Sequence, residues 1–238
     1  VRQRALASAL TSLSVALGVM LMVVVLVANG MVERMFVQTA TGYDLVVGPK
    51  GSQLELVLTS IYRIGVAGEP LPYRFYRELT SAKNNRIADA VPITMGDVTQ
   101  EGGFPILGTT PGYFLLPYMH ESDGTPRRFR IRPRSLDGQH SGEGLIRNPF
   151  DAAIGAVVAR QNGWDVGTKL KLVHGGSDGH VHDEEFTVSG VLEATGTPND
   201  RTVFVHVDGF YMISGHEKPL SEAVARELEF FGNISEES

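Results

Sequence analysis

Residues 174–185 read His174-Gly-Gly-Ser-Asp178-Gly-His180-Val-His182-Asp183-Glu184-Glu185, placing three imidazoles and four carboxylates in twelve positions. Imidazole nitrogen combined with carboxylate oxygen is the donor set that suits zinc and other divalent transition metals. His180 and His182 alternate, so on a strand they share one face. His174, His180, His182 and Asp183 are therefore the candidate ligands. A solvated hairpin loop between two strands satisfies the same spacing and is the commoner setting for His-x-His, since short motifs also match by chance. A metal site would make a metal the transported or sensed cargo.

Other chemistry is sparse. The chain has no cysteine, which removes disulfides, thiol catalysis and thiolate zinc sites. No nucleophile elbow or comparable motif of fixed mechanics occurs, so no catalytic residues are assigned. The turn Gly48-Pro49-Lys50-Gly51 lacks the Gly-x-Gly-x-x-Gly spacing, and no Gly-x-x-x-x-Gly-Lys-Ser/Thr phosphate loop exists. With a net charge of −6, nothing points to nucleic acid as a partner. A local exception is Arg127, Arg128, Arg130, Arg132 and Arg134, in an alternating Arg-Phe-Arg-Ile-Arg pattern. It reads as one exposed edge strand protected by charge, with a surface for an anionic ligand or partner as the rival.

The elements that must position these residues divide sharply. Residues 5–32 form a run of 28 without a charge, where about 20 apolar residues suffice to cross a bilayer core. The run exceeds the roughly 7–15-residue apolar core of a signal peptide. Arg2 and Arg4 precede it and put the N-terminus in the cytoplasm, with the remainder outside. Ser8, Thr11, Ser12 and Gly18 form a small, hydroxyl-rich face suited to packing on neighbouring helices. Residues 29–38 continue as a helix leaving the bilayer, with Met31, Met35 and Phe36 on one side. Asn29-Gly30 interrupts it as a loose point, glycine costing roughly 1 kcal/mol in a helix interior.

Beyond residue 41 the pattern is that of an α+β domain. Residues 44–47, 87–93, 104–107, 153–155, 169–173, 186–192 and 202–206 read as strands. Residues 54–62, 73–83, 156–162 and 220–231 read as helices, with a helix or turn at 209–213 and a frayed end after 231. Gly163 terminates the third of these. Residues 116–148 read as a polar excursion or subdomain joint, and 174–182 as a glycine-rich loop. The predicted division is an anchor with its extension (1–41), a core domain (42–219) and an acidic segment (220–238).

Several segments resemble the permease subunits of the MacB/FtsX-like group of ABC transporters, with the lipoprotein-release permeases as relatives. They are the basic start leading into the long first helix, Asp44-Leu-Val-Val-Gly-Pro-Lys-Gly51, Gly108-Thr-Thr-Pro-Gly-Tyr-Phe114 and Asn148-Pro-Phe-Asp-Ala-Ala-Ile-Gly155. Val157-Val-Ala-Arg160, Val166-Gly-Thr-Lys-Leu170, Phe186-Thr-Val-Ser-Gly-Val-Leu192 and Gly196-Thr-Pro-Asn-Asp-Arg201 complete the set. The resemblance implies an inner-membrane subunit with a periplasmic core domain, and three more transmembrane helices beyond Ser238. It implies ATP bound on a separate cytoplasmic ATPase subunit, with no cofactor on this chain. It also implies a second permease copy, contact with membrane lipid, and a partner in the periplasm. Such a subunit exports or extracts a substrate and is not itself an enzyme. The alternative is a membrane-anchored periplasmic binding or scaffold protein, possibly metal-handling, that works without an ATPase.

Overall fold

The protein is represented by a computed structural model that describes residues 2–38, 42–65, 68–81, 86–121, 123–132, 144–174, 179–216 and 220–232. Asp178, Arg134, the end of the predicted helix at 82–83, and the tail from 233 lie outside the described residues, as do the side chains of Met31, Met35 and Phe36. The chain forms two compact units, Val1–Ala40 and Thr41–Ser238.

The first unit is one helix, α1 (Arg2–Gln38), of 37 residues. At 1.5 Å per residue it is about 55 Å long, well beyond the roughly 30 Å of a hydrocarbon core. Its stretch Ser8–Gly30 is long and apolar enough to cross a membrane, and none of its residues is buried. Ser8, Thr11, Ser12 and Gly18 are all exposed on it. The helix continues unbroken through Asn29-Gly30, because one glycine penalty is small beside the hydrogen bonds of the turns flanking it.

The second unit is α+β, built on a six-stranded sheet. Its strands are β1 (Asp97–Thr99), β2 (Ile106–Thr109), β5 (Asp151–Ile154), β6 (Lys169–His174), β7 (Val181–Val191) and β8 (Val203–His206), in the order β1-β6-β7-β5-β8-β2. The pairs β2–β8 and β5–β7 are parallel, and the others antiparallel. Bridges between Thr94 and Gly108 and between Val98 and Pro105 join the two edges, so the sheet curls back on itself. A separate ribbon pairs β3 (Pro117–His120) with β4 (Pro126–Arg128).

Both faces of the sheet are buried, and the period-2 alternation of strands sorts the side chains between two cores. Ile106, Ala152, Ile154, Leu170, Leu172, Val203 and Val205 enter the first. Leu107, Ala153 and Phe204 enter the second, with Phe114 and Phe129 edge to face on Phe204 and Tyr113 tilted against it. On β7 the register shifts, so that Val188 opposes Ala152 while Gly190 opposes Ala153. The extra residue, Ser189, reverses the alternation, as a bulge must. Phe186, Val188 and Val191 therefore share the first core. Helices α4 (Ala156–Asn162) and α5 (Val207–Tyr211) cover that core with Val158, Ala159 and Phe210. Gly163 ends α4 in the left-handed region (φ 68°), where glycine alone carries no Cβ penalty.

Helix α2 (Gln53–Ser60) is capped by Ser52, whose hydroxyl accepts the Glu55 amide at 3.2 Å. Helix α3 (Tyr73–Thr80) holds α6 (Leu220–Phe231): Arg74 pairs with Glu227 at 3.2 Å and lies 4.3 Å above the Phe231 ring, and Arg226 pairs with Glu69. Helix α6, the described part of the acidic C-terminal segment, thus packs on the domain.

Three expectations are corrected. Residues 44–47 form no strand, with Asp44 in a bend and Leu45 74% exposed, since the bridged sheet edges offer no place for a seventh strand. Residues 87–93 form no strand; Pro92 has no N–H to give a ladder, and pairing starts only at Thr94. The arginine-rich stretch is one-faced rather than wholly exposed. Phe129 and Ile131 enter the second core, and the backbone bonds to the end of β7 (Arg132 N–H to Val191 C=O, 2.9 Å; Glu193 N–H to Arg130 C=O, 2.8 Å). Arg127 and Arg130 meet Glu121 and Glu193 on the outer side, and Arg128 donates to the Leu115 carbonyl. Leu145 and Ile146 join the same core, so the 116–148 segment supplies core as well as polar surface.

The start of α4 gives a sharp test. A Cβ at Gly155 would lie 2.3 Å from the Asn199 carbonyl oxygen and 2.4 Å from that of Asp200, both backbone atoms. Gly155→Ala should therefore destabilise the domain by about 1–3 kcal/mol through overpacking, read as a lowered urea midpoint with an unchanged slope.

Candidate metal centre

The first core becomes polar at one end. On β6, Leu170, Leu172 and His174 point to one face, and on β7 His182 follows the side of Glu184 and Phe186. β1 lies antiparallel to β6 with Asp97 directly opposite His174. Phe210 on α5 and Ile213 just beyond it anchor the chain in the same core and deliver His216, whose ring lies 4.5 Å from that of Phe210. Four side chains from four segments thus converge.

The ligating atoms of Asp97, His174, His182 and His216 all lie within 4.8 Å of one another. Asp97 is the centre. Its Oδ1 is 3.0 Å from His174 Nδ1, and its Oδ2 is 3.2 Å from His216 Nε2 and 3.4 Å from His182 Nε2. Ring centroids are 4.5 Å apart for His174 and His182, 4.8 Å for His182 and His216, and 5.0 Å for His174 and His216. Asp97 is 4% exposed and His182 1%. Neither ring nitrogen of His182 has a hydrogen-bond partner among the described residues, and neither does Asp97 Oδ2.

Electrostatics separate the members. Burial works to raise the Asp97 carboxyl, but the neighbouring His216 and His174 outweigh it and hold it below the usual carboxylate range. Burial lowers the His182 imidazole; Asp97 opposes this, while His216, His174 and His180 add to it, leaving it below its ordinary value. Burial also disfavours charge on His216, yet Asp97 and the Phe210 carbonyl prevail and raise it. His216 Nδ1 donates to that carbonyl at 2.7 Å, so Nε2 is the atom turned to Asp97.

Of the residues singled out in the sequence, the structure brings His174 and His182 into this cluster, each on a strand rather than in a loop. His180 is exposed at its rim, 5.6 Å from His182 and 6.4 Å from His174 between ring centroids. Asp183 is exposed and outside the cluster, because the alternation that buries His182 turns its neighbour to solvent. Asp97 and His216 went unseen: they are remote in sequence from the 174–185 run, and no spacing connects them. A faint signal for Asp97 was a carboxylate in Asp-Val-Thr, a short strand-like segment.

A second buried polar group lies by the second core. Arg63 Nη2 donates to Tyr113 Oη (2.9 Å), and Tyr113 donates to Asn199 Oδ1 (3.0 Å). Burial, with Tyr113 adding and Arg63 opposing, pushes the Tyr43 phenol up to about 12. The Gly196–Arg201 segment is fixed from within by Asp200, which accepts Thr195 N–H (2.7 Å), Thr195 Oγ1–H (2.7 Å) and Gly196 N–H (2.8 Å).

The MacB-like periplasmic core domain model matches residues 8–229. The chain belongs to that family. The MacB-like core domain is a part of ABC-type permeases, so the apolar helix is a membrane anchor and the α+β unit its core domain. A crystal structure of a permease-protein domain from Porphyromonas gingivalis is similar at 14% identity and a TM-score of 0.30, over 59% of this chain and 62% of that one. The chain thus spans less than two thirds of that relative. None of the curated proteins matches.

The orphaned nitrogens of His182 make a stability test. A buried polar group without a partner costs about 1–3 kcal/mol. In the presence of a chelator, His182→Leu should unfold at a urea midpoint equal to or above that of the parent chain. A midpoint well below it would mean that the imidazole is needed for packing.

Proposed function

We propose that this chain is part of a permease subunit of an ABC transporter, coupling a cytoplasmic ATPase to a domain outside the inner membrane. The observation that carries this reading is the family match over residues 8–229, which takes in the apolar helix and the core domain together. A transmission role requires a stiff element that outruns the bilayer, and the unbroken 37 residues of α1 meet that requirement. Arg2 and Arg4 favour a cytoplasmic N-terminus, which leaves the core domain periplasmic. ATP is bound by the partner ATPase, and two permease copies form the transport unit, their first helices meeting through faces such as Ser8, Thr11, Ser12 and Gly18. The domain then acts on a substrate or partner in the periplasm, for export or extraction.

Absence of cysteine makes the topology directly testable. Lys50→Cys, at an exposed position, should react with a membrane-impermeant maleimide in spheroplasts, whereas Gln3→Cys should react only after lysis. The reverse pattern would overturn the orientation. The coupling is tested by affinity purification from the native membrane. An ABC ATPase should co-purify, and its hydrolysis rate should change when the permease is present. Purification without any ATPase would favour the membrane-anchored binding or scaffold protein instead.

A further inference from the structure

We propose that Asp97, His174, His182 and His216 form a closed four-ligand site for one divalent transition metal of the zinc class. A tetrahedral zinc ion with bonds of about 2.0–2.2 Å sets its ligand atoms roughly 3.3 Å apart. Asp97 Oδ2 lies 3.2 Å from His216 Nε2 and 3.4 Å from His182 Nε2, spacings of that size, while His174 Nδ1 meets the other oxygen, Oδ1, at 3.0 Å, and the four ligand atoms all fall within 4.8 Å of one another. Three nitrogens and one carboxylate oxygen match the borderline-soft ion.

An ordinary buried ion pair accounts for Asp97 and His216 but not for His182. Its ring is fully enclosed and has neither nitrogen satisfied among the described residues, although Nε2 is turned to the common centre. A cation at that centre supplies the missing partner for His182 Nε2 and Asp97 Oδ2 together. The surroundings are those of a ligand shell. His216 Nδ1–H donates to the Phe210 carbonyl, which fixes the tautomer that leaves Nε2 free to bind, the usual outer-shell device of metal-bound histidine.

Four protein ligands leave no open position, so the ion holds structure rather than performing catalysis. What it holds is specific. Asp97, His174 and His182 belong to the sheet, whereas His216 belongs to the segment between α5 and α6. Glu184 Oε1 accepts the Ser214 amide at 3.1 Å and its hydroxyl at 2.9 Å, a weaker tie between the same two parts. Metal occupancy therefore fastens this connection to the sheet, and its loss releases the connection. The His174 side chain, 31% exposed, marks the side from which the ion enters. The proposal is independent of the transport reading, since binding requires no ATPase.

The test is Co²⁺ titration of the 238-residue chain in detergent, followed by visible absorption. One equivalent should produce the intense d–d bands of a four-coordinate N₃O complex, and one equivalent of Zn²⁺ should bleach them. His182→Leu and His216→Gln, checked for folding by circular dichroism, should lose more affinity than the roughly 10–100-fold that an outer-shell change causes. His180→Ala and Asp183→Ala should bind as the parent does. Weak octahedral bands, or none, in the parent chain would overturn the site without recourse to any variant. Binding abolished by His180→Ala or Asp183→Ala but kept by His216→Gln would also overturn it, and return the metal to the 174–185 loop.

Discussion

Burial of both faces of one curled sheet governs this domain. Ala152, Ala153 and Ile154 on β5 and Val203, Phe204 and Val205 on β8 are fully enclosed, consecutive residues serving opposite cores. Such strands cannot slip by one residue without exchanging the contents of the two cores. The Ser189 bulge makes that exchange on β7, and it lets Val188 and Val191 both enter the first core. The covering helices α4 and α5, the Phe129–Ile131 stretch and the bridges between the edge strands all answer the demand that neither face meet water.

The same demand makes the histidine cluster conspicuous. It occupies the end of the first core, at positions whose alternation would ordinarily call for aliphatic residues, as Leu170 and Leu172 on the same strand illustrate. A polar group there costs stability unless it is partnered. Asp97 Oδ1 and His216 Nδ1 have hydrogen-bond partners; Asp97 Oδ2 and both nitrogens of His182 have none among the described residues. Departures from local consistency of this kind concentrate at functional positions. The Arg63–Tyr113–Asn199 group is satisfied only in part: Arg63 Nη2, Tyr113 and Asn199 bond to one another, while Arg63 Nε and Nη1 have no hydrogen-bond partner among the described residues, and the group tethers the segment after α2 to the Gly196–Arg201 loop.

For a MacB-like core domain, the location of the cluster matters as much as its chemistry. It joins β1, β6 and β7 to the segment leading toward α6, and α6 is itself seated on α3 through Arg74, Glu227 and Phe231. The C-terminal part of the described chain is thus tied to the body of the domain both by aromatic and ionic contacts and by imidazole and carboxylate.

Sequence by itself determined what depends on local order. The uncharged run of 5–32, the helix 156–162 with its glycine stop, the strands of β6 and β8, and the terminal helix follow from periodicity and capping, which act within a few residues. The segments quoted for the family likewise carried the identification. Only tertiary structure decided what depends on pairing. Residues 44–47 have strand-forming side chains but no edge to join, and Arg-Phe-Arg-Ile-Arg became half core because β7 extended far enough to receive it. The site shows the same division. His174 and His182 were legible as neighbours in a histidine-rich run. Asp97 and His216 were not, since strand register and the packing of Phe210 and Ile213 bring them there. Asp183 was excluded for the converse reason: adjacency along a strand places consecutive side chains on opposite faces, so the nearest residue in sequence was turned away from the centre.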